Sequence, residues 1–248
     1  MCSMMDKMPK PEFALPLVCR EADALTGGRG AKLRGDQIAS PAPFALAGQA
    51  GCPPEALARQ MAQTLPLQGS SFSAVAAAGG YLNFTLSPAW LSALEEQLCL
   101  IANTEPDEQD IAIIPDLPVR CLQGDLALLP LLGRRPSVET AARQDGQNPG
   151  WLVRYTLRRL RRFGAVGEAA EPALPSALLL AAAQLLEPGV PRRICAQRLV
   201  ALTEQIWRVT PQRLPPRTAA ALAAALSRGF AQLDLQTVHP NGAEKTIM

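Results

Sequence analysis

Residues 81–86, Tyr-Leu-Asn-Phe-Thr-Leu, alternate polar and apolar side chains one for one, and that period of two commits them to a sheet buried on one face. Leu82, Phe84 and Leu86 share one side; Tyr81, Asn83 and Thr85 share the other. A lone strand cannot satisfy its backbone, so the spacing predicts a pair with Phe72–Val75 just upstream. Helical patterns surround the pair. Phe44, Ala45 and Ala47 form a short helix ending at Gly48. Pro53-Pro54-Glu55 opens a second, with Leu57, Met61 and Leu65 on one stripe. Ser87-Pro88 caps a third, which runs to about Leu100. Helix–helix–strand–strand–helix predicts a small α+β domain over 35–100.

The remaining chain reads differently. Residues 1–34 are expected to be an irregular N-terminal segment, punctuated by Pro9, Pro11, Pro16 and the cluster Gly27-Gly28-Arg29-Gly30. That cluster, with Lys32, lacks the Lys-Ser/Thr ending and preceding strand of a phosphate loop, so it is read as a turn. Between Glu95 and Asp116 lie seven acidic residues and no basic one, which predicts a solvated acidic linker over 101–125. Residues 126–248 are almost wholly helical in pattern, broken at Gly133, Gly164–Pro175, Glu187–Pro191 and Pro211–Pro216. Four or five helices of bundle length fit those breaks. The fold class is therefore mainly α: a small α+β N-terminal domain followed by an α-helical bundle.

Composition narrows the chemistry. The apolar run Leu174–Leu186 is too short to span a bilayer, and the N-terminus has no continuous apolar segment of the kind a signal peptide needs. A cytoplasmic protein without membrane partners is expected. The six cysteines form no CxxC pair, and the single histidine, His239, lies near the C-terminus; free thiols and no metal site are expected. No cofactor motif is present. Charge is uneven: residues 1–147 carry 11 basic and 16 acidic side chains, residues 148–248 carry 13 basic and 6 acidic. Arginine supplies 20 of the 24 cations. Its planar fork suits phosphates and stacks on bases, although Arg-rich composition also follows from high-GC coding.

Residues 148–163, NPGWLVRYTLRRLRRF, concentrate that charge. At 100° per residue Leu152, Val153, Thr156, Leu157, Leu160 and Phe163 form one arc. The opposite arc holds Trp151, Arg154, Tyr155, Arg158, Arg159, Arg161 and Arg162, and is expected to face solvent. Cations interleaved with rings suit single-stranded RNA, the first for phosphates and the second for unstacked bases. The same face also fits rings packed on a neighbouring helix beside merely solvated arginines.

Two stretches resemble the arginyl-tRNA synthetase family. Arg34–Leu65 followed by Ala76–Leu98 resembles its N-terminal additional domain, most closely in Gly80-Tyr81-Leu82-Asn83-Phe84 and Leu86-Ser87-Pro88-Ala89-Trp90-Leu91. Arg134–Leu160 resembles the entrance to its DALR-type anticodon-binding domain, through Asn148, Pro149, Trp151, Val153, Tyr155 and Arg159. The chain departs from that second pattern at Arg154, Leu157 and Arg158. The closing stretch Arg217–Leu235 resembles the family's last helix.

The resemblance implies RNA contacts at Tyr81 and Asn83 to the tRNA elbow, and at Trp151, Arg154, Tyr155, Arg158, Arg159 and Arg162 to the anticodon arm. It implies tRNA as partner, with arginine tRNA as one candidate species, and a protein partner such as a full-length synthetase. The family's aminoacylation needs a nucleotide-binding domain with His-x-Gly-His and Lys-Met-Ser-Lys-like segments. Neither segment occurs here, and residues 101–125 are too few to contain such a domain. A label taken from homology would read arginine-tRNA ligase; the expectation is a non-catalytic tRNA-binding paralogue. Two alternatives stand beside it: a protein-interaction module that keeps the fold without RNA, and a part that complements ligase activity in trans.

Overall fold

A computed structural model describes residues 11–104, 119–164, 176–209 and 214–233. The architecture is mainly helical, with one small antiparallel sheet in the N-terminal part. The chain divides into two compact units, residues 1–101 with 171–188, and residues 102–170 with 189–248.

In the first unit, α1 (Pro11–Thr26) leads into a hairpin of β1 (Lys32–Arg34) and β2 (Gln37–Ser40). Helices α2 (Ala42–Ala50) and α3 (Pro54–Thr64) follow, then the hairpin of β3 (Phe72–Ala78) and β4 (Tyr81–Leu86), and α4 (Pro88–Thr104). The sheet order is β1-β2-β4-β3, every pair antiparallel. Gly79 and Gly80 make the β3–β4 turn with φ of 54° and 78°, the left-handed pair that a two-residue hairpin requires. Alternation is realised as expected: Leu82 and Phe84 are fully buried beside Ile38 of β2, and Phe84 packs on Phe72 at 4.7 Å between ring centroids.

Helix α1 corrects the expectation of an irregular 1–34. Pro16 lies inside it and removes a backbone bond, at a cost of about 3 kcal/mol. Ala14, Leu15, Val18 and Ala22 nevertheless form a buried stripe at helical spacing, and burying Leu15 and Val18 is worth about 1.5–3 kcal/mol each. The glycine cluster is the turn that follows, where Asp23 accepts hydrogen bonds from the Gly30 and Ala31 amides at 3.1 and 2.9 Å. A further helix, Ser176–Leu185, belongs to this unit and packs against α1, although the expected boundary at 126 groups it with the C-terminal bundle. It buries Leu178, Leu179, Leu180, Ala182, Ala183 and Leu185, so it is apolar nearly all round and must be covered on most sides.

Among its described residues the second unit packs five helices. In chain order they are α5 (Val119–Leu131), α6 (Val138–Ala142), α7 (Pro149–Gly164), then α9 (Arg192–Val209) and α10 (Pro216–Gln232), with α8 denoting Ser176–Leu185 of the first unit. Helix α5 begins inside the expected linker; residues 105–118 of that linker lie outside the described residues. Helix α7 touches α5, α9 and α10. Val153, Thr156, Leu157 and Leu160 are buried as the arc predicts, against an α10 whose alanines and Gly229 permit close approach.

A polar knot holds the start of α7. Asn148 Oδ1 accepts from the Gly150 and Trp151 amides at 3.0 and 3.2 Å, capping the helix. Its Nδ2 donates to the carbonyls of Ala141 and Arg143 and, at 2.8 Å, to Asp125 of α5. Asp125 is 1% exposed and also takes both terminal nitrogens of Arg154, at 2.5 and 2.7 Å. Gly150 leaves space for that carboxylate: a Cβ there would sit 1.9 Å from Asp125 Oδ1. Asp125→Ala is expected to strand a partly buried guanidinium and lower stability by about 3–5 kcal/mol in urea unfolding. Gly150→Ala should be comparably damaging, because backbone and carboxylate cannot both stay; a variant within about 0.5 kcal/mol of the parent would contradict this account.

Candidate nucleic-acid interfaces

Each unit carries one patch that gathers residues singled out from the sequence. On the sheet, strand register decides which side chains share the outward face. Gln37 lies opposite Thr85, Ala39 opposite Asn83, Ala76 opposite Asn83 from the other side, and Ala78 opposite Tyr81. On the edge, Lys32 pairs with Ala39 and Arg34 with Gln37. The outward face is therefore sorted by strand: cations on β1, the aromatic and the amide on β4, and alanines on β3.

Tyr81 and Asn83 come together there as expected, both half-exposed. The Tyr81 and Phe44 rings meet in a T-shaped contact at 5.0 Å between centroids, and the Arg34 guanidinium lies 5.3 Å over the Tyr81 ring. Phe44, 48% exposed, is itself seated on Gly80, where any Cβ would come within 2.7 Å of the ring. This gives Gly80 a second reason beyond its φ of 78°. The Asn83 amide makes no hydrogen bond among the described residues, which leaves a donor and an acceptor side by side on an open surface. Arg34 and Phe44 carry no signal by themselves in the sequence. Their roles come from the register of a three-residue strand and from the entry of α2, neither of which periodicity can resolve.

The patch on α7 departs further from expectation. Arg154 does not face solvent: it is held in the ion pair with buried Asp125, which corrects its reading as a free cation for RNA. Trp151 and Tyr155 stack on one another at 4.8 Å with planes 13° apart. Tyr155 also stacks on Trp207 of α9 at 5.7 Å and 19°. Arg159 lies over both Trp207 and Tyr155, at 5.2 and 5.9 Å. The Trp207 indole N–H donates to buried Thr156 at 2.6 Å. Packing on a neighbouring helix, one of the two readings of these rings, thus holds for the Tyr155–Trp207 contact, while Tyr155 remains 37% exposed, as the polar arc predicts. Trp151 ends the stack.

Trp207 is the residue that sequence reasoning missed, since it lies one position beyond the buried Ile206 on a helix read only as part of a bundle. Among the arginines, Arg161 is exposed yet donates to Ser227 of α10 at 3.1 Å, Arg162 is exposed, and Arg158 and Arg159 are half-exposed. Arg161 and Arg162 sit in the last helical turn, where cations complement the helix dipole.

No cluster of three or more metal-ligating side chains exists among the described residues. Burial, with smaller contributions from Glu187 and Asp23, pushes the Cys19 thiol up to about 11, and burial raises Cys195 against the opposing effect of Arg198. Both thiols are thereby kept protonated near neutral pH. No described helix is long and apolar enough to cross a membrane.

Residues 32–86 match the family described as the arginyl tRNA synthetase N terminal domain. No curated protein and no solved structure matches the chain. The matched interval runs from the first residue of β1 to the last of β4, and so contains the whole sheet with its two intervening helices. Residues 32–86 thus form an arginyl-tRNA synthetase-like N-terminal domain, and the platform around Tyr81 and Asn83 is built on it.

Proposed function

We infer that this chain binds tRNA through the outward face of its sheet and does not aminoacylate it. The observation that carries this reading is the sorting of that face. Arg34 and Lys32 flank Tyr81 and an unengaged Asn83 amide, within the interval that resembles a synthetase domain. Single-stranded or flipped-out bases need a ring to stack on and a polar group for their edge, with cations nearby for the phosphates. By the resemblance, the base comes from the tRNA elbow. On α7 the supporting features are the end of the aromatic stack at Trp151 and the arginines Arg158, Arg159 and Arg162, which would meet the anticodon arm in a DALR-type domain. Arg154 and Tyr155 then act by holding that surface in shape.

An internal feature of the chain supports the non-catalytic part of this reading. The 101–125 interval between the two resembling parts cannot contain a nucleotide-binding domain. One observation favours a second reading, in which the helical unit binds protein: its most conspicuous ring and one of its arginines are already committed to intramolecular contacts.

In filter binding at varied salt, tRNA affinity should fall with a log–log slope of roughly −0.7 to −0.9 per neutralised phosphate. Tyr81→Ala should weaken binding by about 1–3 kcal/mol, the worth of one base stack, with the fold retained. Equal affinity for tRNA and unrelated RNA, or indifference to both Tyr81→Ala and Asn83→Ala, would remove the proposal. Arginine-dependent pyrophosphate exchange should be absent for the purified chain; exchange above background would overturn the non-catalytic assignment.

A further inference from the structure

The two edges of the sheet are finished differently. β1 is three residues long and carries exposed Lys32 and Arg34; shortness and charge are devices that keep an edge from pairing with another chain. β3 has neither. Phe72–Ala78 is seven residues, contains no charge and no proline, and is paired on one side only. Its irregularity falls between Phe72 and Ala74, where the Ser73 hydroxyl reaches the Thr85 and Leu86 carbonyls. Ala74–Ala78 remain as a regular stretch, and none of them makes a backbone bond outside the β3–β4 ladder among the described residues. Ala74, Ala76 and Ala78 are exposed. Such a row of donors and acceptors is a template for one more strand.

We propose that β3 pairs antiparallel with β3 of a second copy of this chain, joining two sheets into one of eight strands. The strand is complementary to itself. Centred on Ala76, the pairing sets Ala74 opposite Ala78 and Val75 opposite Ala77, so only small uncharged side chains meet. Helix α3, which lies against β3, carries one acid, Glu55, and one base, Arg59, and adds no net charge at the junction. The β1 edge, by contrast, would bring Lys32 and Arg34 against their own copies. A twofold axis through an antiparallel pair stands perpendicular to the sheet, so both Tyr81–Asn83 strips face the same side. They lie about 14 Å apart at the usual strand spacing.

Sedimentation equilibrium of the full chain tests this directly. At tens of micromolar the parent should sediment at twice its 26.4 kDa mass. Ala76→Lys, an exposed position whose longer side chain extends into solvent in a single copy, should place like charges face to face and sediment at 26.4 kDa. Its far-ultraviolet circular dichroism should be unchanged. Amide exchange in 74–78 should slow with rising protein concentration in the parent and not in the variant. A parent that is monomeric throughout, a variant that remains dimeric, or concentration-independent exchange in β3 would each overturn the proposal.

Discussion

The Asp125 carboxylate is the point about which the helical unit is assembled. It is almost fully removed from water, so its charge must be answered, and three different elements of sequence answer it. Arg154 supplies a two-nitrogen fork, Asn148 an amide donor, and Gly150 the room in which the carboxylate can sit. Asn148 at the same time caps α7 and ties down the carbonyls of Ala141 and Arg143. An ion pair of this kind adds little net stability over an apolar equivalent, but it penalises every arrangement that separates its partners. It therefore fixes where α7 begins and how that helix is rotated. The rotation decides which arginines are left for a ligand: Arg154 is spent on the fold, Arg161 reaches Ser227, and Arg162 projects into water.

A comparable division of labour runs through the sheet. One set of alternating side chains, Ile38, Leu82, Phe84 and Leu86, builds the core, and the other set builds the surface. Because strand period is strict, the core positions dictate the surface ones: with Leu82 and Phe84 inward, Tyr81 and Asn83 must point out. The alanines of β3 keep that surface low beside Tyr81 and Asn83. An adjacent ring, Phe44, meets Tyr81 in a T-shaped contact and leaves Tyr81 half-exposed. The arrangement sets a half-exposed ring, an amide and two cations on one face of the sheet.

How much of this was legible depended on whether a signal was local. The alternation at 81–86 and the proline-led starts of α3 and α4 are short-range patterns, and they appear where periodicity placed them. Helix α1 was hidden because Pro16 and the following glycines read as breakers, whereas its buried stripe only acquires weight once another helix covers it. The grouping of Ser176–Leu185 with the first unit is likewise tertiary information. In the arginine helix the amphipathic arc was correct for Val153, Thr156, Leu157 and Leu160. It could not reveal that Asp125, 29 positions earlier, and Trp207, 51 positions after Thr156, would fold onto its polar side. A helical wheel sees one helix; it does not see what the neighbours cover.

The central claim is that an inherited synthetase-like surface still selects tRNA. Crosslinking the intact protein to RNA in its own cell, then sequencing what is attached, addresses it most directly. The account predicts reads enriched for tRNA over total cellular RNA, with crosslinks bunched at the elbow and lost in Tyr81→Ala. Reads that follow the abundance of cellular RNA, with no dependence on Tyr81 or Asn83, would contradict it.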